Sequence, residues 1–349
     1  MADAARTTSA ALPGALRRAF DSDIFYSFRH SPITVLAAAI TLLGFIGAIC
    51  APWLATQNPF DLRTLSLMDA NLPPSWIEGG EAKYLFGTDN QGRDVFSTIL
   101  YGSRVSLLVG VGSVLLALVL GVGLGLLSGY VGGSIDAFIM RVADVQLSFP
   151  AILIALLIDG ITRAILPRDA HDAAAVYVLI LSIGASGWVQ YARTVRGSTM
   201  VERNKEYVQA ARVIGVAPWR IMFRHVLPNV MGPVLVLATI QVAAAILTEA
   251  TLSFLGVGVP PEIPTWGTMV AGSQQYADRA FWVVLFPSLA IIFTALSLQL
   301  LGDGVPRLFD NRLPQQLFGL LEMLVRLVVL AHKHVTAAQV AECPRLQDR

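Results

Sequence analysis

Lysine is nearly missing from these 349 residues: Lys83, Lys205 and Lys333 are the only three, and none follows a glycine. That excludes a phosphate-cradling GxxxxGK[ST] loop and, with it, ATP binding by that route. Cysteine is as scarce. Cys50 lies in an apolar run and Cys343 near the end, too far apart and too isolated to suggest a disulfide or a thiolate metal site. The histidines (His30, His171, His225, His332 and His334) are scattered, and no HExxH, CxxC or GxSxG occurs. No metal centre and no catalytic constellation of an intramembrane hydrolase is therefore visible; His332 and His334 read as a solvated polar turn. Charge is sparse too: 14% of residues are charged and 55% hydrophobic, against roughly 25% and 45–50% in soluble domains. The excess apolar surface must face lipid. With a formal net charge of +1, nothing favours nucleic acid or an acidic partner.

What is present is a series of long apolar runs, near 33–54, 104–128, 140–161, 174–190, 230–254 and 281–301. Each is long enough to cross about 30 Å of hydrocarbon at about 1.5 Å per residue. The third carries Arg141 and Asp144 one turn apart, a spacing that suits a mutual pair at the interface. Gly129, Gly132 and Gly133 mark a tight turn before it. Residues 1–20 hold Arg6, Arg17 and Arg18 but no apolar core before residue 33, so the first run is expected to be a retained anchor rather than a cleaved signal.

Basic residues orient the spans. Residues 1–32 carry Arg6, Arg17, Arg18 and Arg29, and residues 191–229 carry Arg193, Arg196, Arg203, Lys205, Arg212, Arg220 and Arg224. Residues 55–102 are predominantly acidic, and residues 255–280 have Arg279 as their sole basic residue. The expectation is a multi-pass protein with both termini in the cytoplasm, a cytoplasmic segment 1–32, a six-span domain 33–313, and an extension 314–349. In that extension Leu317 to Leu330 is too short and too charged to cross and suits an interfacial helix.

The segment from Glu206 to Asn229 spells helix, turn, helix. Ala210 and Ala211 belong to a helix ending near Gly215, which tolerates positive φ. Pro218 suits the first turn of a second helix and Pro228 its stop. Trp219, Met222, Phe223 and Val226 fall at i, i+3, i+4 and i+7, an apolar face flanked by Arg220 and Arg224. By composition alone, that face equally suits the lipid headgroups.

The order Gln209-Ala210-Ala211, Gly215 and Leu227-Pro228 resembles the EAA loop of ABC importer permeases, written EAA-xxx-G-x9-I-x-LP. Gln209 replaces the acidic residue, and His225 stands in the isoleucine position with Val226 beside it. Further segments narrow the likeness to the C-type permease of dipeptide, oligopeptide and nickel importers. These are Phe86-Gly-Thr-Asp89-Asn-Gln-Gly-Arg93-Asp94, Gly102-Ser-Arg104, Gly187-Trp188, Tyr191-Ala-Arg193, Glu249-Ala-Thr-Leu-Ser253-Phe-Leu-Gly256 and Gly302-Asp303-Gly304. The likeness covers roughly residues 30 to 313; residues 162–173 look like added length.

That resemblance implies an all-α, six-helix ABC type I importer permease of the bacterial inner membrane. It implies pairing with a second permease subunit, with two ATPase subunits that bind the ATP and magnesium, and with an extracytoplasmic solute-binding protein. No cofactor is expected in this chain and no catalysis. The ATPase-coupling residues would be Gln209, Ala210, Ala211, Gly215, Trp219, Arg220, Met222, Phe223, Leu227 and Pro228. The outer-loop motif Asp89, Arg93, Asp94 and Arg104 reads equally as a capped interfacial helix ahead of the second span. Glu249 and Ser253 are candidates for the translocation path or its gate, since a carboxylate in an apolar span implies a cavity or a polar partner. The alternative for Glu249 is an interface carboxylate snorkelling outward. Peptides are the expected cargo. The rival class is a secondary transporter or channel with no ATPase, which would rely on intramembrane charge relays or broken helices.

Overall fold

The computed structural model describes residues 31–59, 65–260 and 263–307. The N-terminal segment before Ser31 and the 314–349 extension lie outside them. The order of helices is α1 (Pro32–Ile49), α2 (Ala51–Leu54), α3 (Val95–Val131), α4 (Gly133–Leu147), α5 (Ala151–Ile165), α6 (Arg168–Glu202), α7 (Glu206–Val213), α8 (Pro218–Ile221), α9 (Leu227–Phe254), α10 (Trp266–Ser273) and α11 (Phe281–Arg307). Helices α1, α3, α6, α9 and α11 are each long and apolar enough to cross a membrane.

The third expected span is broken. Its two halves, α4 and α5, meet at 92° across Ser148–Pro150. Pro150 explains the break: it lacks an N–H to continue the ladder and pushes the residue before it out of the α region. Arg141 does not pair with Asp144 as its spacing suggested; Asp144 accepts from Arg193 Nη2 at 2.6 Å instead. Asp136 accepts from Arg196 Nε at 2.5 Å and Nη2 at 2.7 Å, and also from Ser128 Oγ. Gln146 Nε2 donates to the Ala185 and Ser186 carbonyls at 2.9 and 3.0 Å, and its Oε1 accepts from Trp188 Nε1 at 2.7 Å. Side chains thus strap α4 along α6. Arg193 and Arg196, expected in a cytoplasmic loop, are helical residues serving that strap, and the fourth span runs on to Glu202.

Helices α3 and α6 form the centre of the fold. Gly121, Gly125 and Gly129 fall one turn apart along α3, and their missing side chains let α6 approach at backbone distance. A Cβ at these positions would meet the Trp188 carbonyl at 2.5 Å, the Ala192 carbonyl at 2.5 Å and Thr199 Cβ at 2.7 Å respectively. Such a small-residue seam is how helices associate where lipid removes the hydrophobic drive. Gly129 therefore belongs to the seam and not to the turn, which Gly132 and Gly133 make with φ of 74° and 60°. Around this pair, α5 and α9 close an apolar core including Leu126, Leu179, Tyr191, Ile221 and Leu252. A second cluster joins α1, α3, α9, α10 and α11 through Ala48, Leu107, Ile246, Trp266 and Leu298. On α1 the opposite face, Leu36, Leu42, Leu43 and Ile49, is exposed, as lipid or a partner helix requires.

The two ends of the bundle differ. At one end residues 65–94 pack onto the start of α11, where Trp282 Nε1 donates to the Thr88 carbonyl at 3.1 Å and Phe86 stacks on Phe286 at 4.3 Å. At the other end Arg203 Nη1 donates to the Gly129 carbonyl at 2.8 Å, and Arg212 lies 5.1 Å from the Tyr130 ring centre.

Candidate functional site

The helix–turn–helix forms at the second of these ends. Helix α7 closes with two bonds, Gly215 N–H to the Arg212 carbonyl and Val216 N–H to the Ala211 carbonyl, each 3.0 Å. This is the paired pattern of a Schellman stop, and Gly215 takes φ 79° as the sequence suggested. Pro218 then opens α8. Pro228, read as a stop, is not one. The chain passes from α8 through a single π turn, Met222–Val226, into α9, so that Pro218–Phe254 runs as one helix. The reason is local. Leu227 N–H bonds the Met222 carbonyl five residues back, and this widened turn accommodates Pro228, which has no N–H and whose ring crowds the carbonyl of Arg224.

The expected apolar face divides. Ile221 and Val226 are fully buried, and Met222 and Leu227 pack on the core. Trp219 and Phe223 stand 60% and 57% exposed, beside Val213 at 87% and Ile214 at 77%. Four large apolar side chains are thus presented around one turn. Gln209 Nε2 holds the Asn204 carbonyl at 3.1 Å, Ala210 is exposed and Ala211 is buried. Arg220 sits 5.4 Å from the Trp219 ring centre, at the rim. Tyr207 anchors the unit by donating to Glu202 Oε1 at 2.5 Å while accepting from Asn229 Nδ2 at 3.0 Å. Its phenol pKa is raised, by burial first and by the Glu202 bond second.

Glu249 and Ser253 come together but inside packing. Glu249 is 0% exposed, which rules out snorkelling. It accepts from Ser253 Oγ at 2.8 Å and Ser106 Oγ at 3.0 Å, while Ser106 in turn accepts from Trp266 N–H at 3.3 Å. The carboxylate ties α9, α3 and the start of α10 together. Glu249 thus has polar partners on two helices, in the geometry of a joint.

The outer-loop motif is likewise built into local structure. Asp89 accepts from Gln91 N–H, Arg93 N–H and Arg93 Nε at 2.8, 2.9 and 2.6 Å. Asp94 caps α3 through Ser97 N–H at 3.1 Å and accepts from Thr56 Oγ1 at 2.7 Å. The helix that Asp94 caps is the second span itself rather than a separate one ahead of it, because Val95–Val131 is continuous. Arg104 stands exposed on α3, away from these pairs.

One site escaped the sequence reading. A cavity of about 160 Å³ lies among α3, α5, α6 and α9, with Ser113, Ala151, Gln190, Tyr191, Gln241 and Thr248 in its wall. Gln241 Nε2 donates to Gln190 Oε1 at 2.8 Å across it. Tyr191 falls in one of the segments singled out by resemblance, but its place in a cavity wall shows only once the four helices are assembled.

Residues 121–315 match the family described as binding-protein-dependent transport system inner membrane component. The di/tripeptide transport system permease protein DppC of Pseudomonas aeruginosa is 39% identical over 83% of this chain and 92% of its own length. Dipeptide transport system permease protein DppC of Escherichia coli is 40% identical over 84% and 93%. Oligopeptide transport system permease protein OppC of Bacillus subtilis is 34% identical over 83% and 89%. With these likenesses running nearly end to end, and with an all-helical bundle carrying several membrane-length helices, the chain belongs to the family of inner membrane components of binding-protein-dependent transport systems.

Proposed function

We propose that this chain is the permease subunit of an ATP-driven peptide importer, forming half of its translocation path and receiving force from separate ATPase subunits. The observation that carries the coupling role is the exposed apolar turn: Val213, Ile214, Trp219 and Phe223 sit on a folded, hydrogen-bonded scaffold at one end of the bundle. Exposed aromatics on a rigid support suit insertion into a protein groove, where a few such anchors dominate affinity. The relatives named for di-, tri- and oligopeptides support the cargo class. A second permease, two ATPases that bind ATP and magnesium, and a solute-binding protein complete the assembly. The coupling turn then faces the cytoplasm, and the 65–94 loop faces the binding protein. Family membership removes the ground for a secondary transporter.

The test is purification of the tagged chain from membranes with whatever it retains. Co-purification of an ATP-hydrolysing subunit, lost in the Trp219→Ala, Phe223→Ala double variant, is the expected result. A chain that transports peptide with no ATPase, or a double variant that keeps full association, overturns the reading.

A further inference from the structure

The cavity among α3, α5, α6 and α9 has the character of a binding site. Ser113 is the central residue of the 37-residue α3, so the cavity lies at mid-height of the bundle, and it opens where Ala151 and Gln190 are exposed. Two of its hydroxyl residues are almost sealed off, Tyr191 at 0% and Ser113 at 1% exposure, and unlike Ser186 and Thr248, which donate to the Ile183 and Ala244 carbonyls, neither Tyr191 Oη nor Ser113 Oγ has a hydrogen-bond partner in the protein. Leaving a buried hydroxyl unpaired costs about 1–3 kcal/mol, and apolar substitutes of the same shape exist at both positions. Ala151 supplies a third feature. It is the first residue of α5, which begins at the broken span with no side-chain cap. Free first-turn N–H groups and the positive end of the helix dipole therefore stand at the cavity wall. The described wall brings hydroxyl donors, a helix N-terminus and the Gln190–Gln241 amide pair, with no carboxylate and no ammonium among its lining residues.

We propose that this cavity is a subsite on the translocation path that receives the carboxylate end of a passing peptide, with Tyr191 Oη and Ser113 Oγ donating to the carboxylate beside the N-terminus of α5. A half-helix end facing an anionic substrate group deep in a bundle is a solution that transport proteins use generally. The Gln190–Gln241 bridge sits at the same wall and joins α6 to α9, so a ligand that enters meets both helices. This inference rests on the peptide-importer reading above.

The experiment uses the complete importer in proteoliposomes, with binding protein in excess. The probes are radiolabelled alanyl-alanine and alanyl-alanine amide, and the readout is peptide delivered per ATP hydrolysed. Tyr191→Phe removes one hydroxyl and keeps the ring packed beside Gly121; Ser113→Ala removes the other independently. The expected result is a fall of about two- to tenfold in dipeptide delivered per ATP for each variant, the worth of one hydrogen bond. The amide should show a smaller fall. Unchanged delivery in both variants overturns the subsite, and an equal fall for acid and amide overturns the carboxylate assignment. If Tyr191→Phe fails to assemble, Ser113→Ala alone decides. A wild-type importer that neither hydrolyses ATP nor accumulates dipeptide would instead refute the importer reading, and is distinguishable from either outcome.

Discussion

Gly215 offers the sharpest perturbation of the coupling turn, because its environment separates backbone strain from packing. A Cβ there would meet nothing within 4 Å, so a substitution creates no clash and all of its cost is conformational. At φ 79° a non-glycine residue carries about 1–3 kcal/mol, with asparagine at the low end and β-branched valine at the high end. The chain has one way to relieve that strain, which is to give up the two stop bonds to the Arg212 and Ala211 carbonyls. Each is worth about 0.5–1.5 kcal/mol net. Cost and relief are therefore comparable, and Gly215→Val is expected to open the turn rather than hold it strained. Opening it separates Val213 and Ile214 from Trp219 and Phe223, and a loss of about 1–3 kcal/mol weakens a partner's binding by roughly 5- to 150-fold. The assay is titration of purified ATPase subunit onto the permease in nanodiscs, together with peptide-stimulated ATP hydrolysis. Affinity should fall in the order Gly215, Asn, Ala, Val while the bundle's melting temperature stays within a few degrees. Equal affinity for all four residues would refute the argument, as would an equal loss of bundle stability.

Three further outcomes are expected. Gly125→Leu should prevent assembly outright, since its Cβ alone meets the Ala192 carbonyl at 2.5 Å; the check is the yield of monodisperse protein in mild detergent, and Gly123→Leu, with open space at its Cβ, is the control. Glu249→Ala should lower thermal stability by about 1–3 kcal/mol by stripping Ser253 and Ser106 of their acceptor, measured by thermal unfolding in detergent, and any loss of uptake should follow that loss of stability. Reporter fusions at Glu81 and Asn204 should report opposite sides of the membrane, as the basic-residue distribution requires; the same side for both would sink the topology.

The spans were legible because apolar length is a strong, one-dimensional signal: four of the six apolar runs fall within single helices, and a fifth, 33–54, is α1 followed by the short α2. What the sequence hid was the behaviour of individual residues within runs. Pro150 and Pro228 look alike in the chain, yet one breaks a span by 92° and the other sits in a continuous helix. The difference is the π turn ahead of Pro228, which depends on how Ile221 and Val226 pack. Arg193 and Arg196 counted as loop charges because their partners, Asp144 and Asp136, lie about fifty to sixty residues earlier on another helix. The Gly215 stop, by contrast, is a local device and was readable from the turn sequence. The cavity was invisible for the opposite reason: its wall is assembled from four helices far apart in the chain.

The glycine seam also decides which parts of the bundle are free to move. Along it, α3 and α6 touch backbone to backbone, with the notches at Gly121, Gly125 and Gly129 occupied by main-chain and Cβ atoms of α6. Sliding one helix by a single residue, about 1.5 Å, would set those atoms against side chains, because the notches recur only every fourth position. The pair consequently behaves as a fixed beam. Whatever rearrangement carries a solute across must then occur at the other seams, around this pair rather than within it.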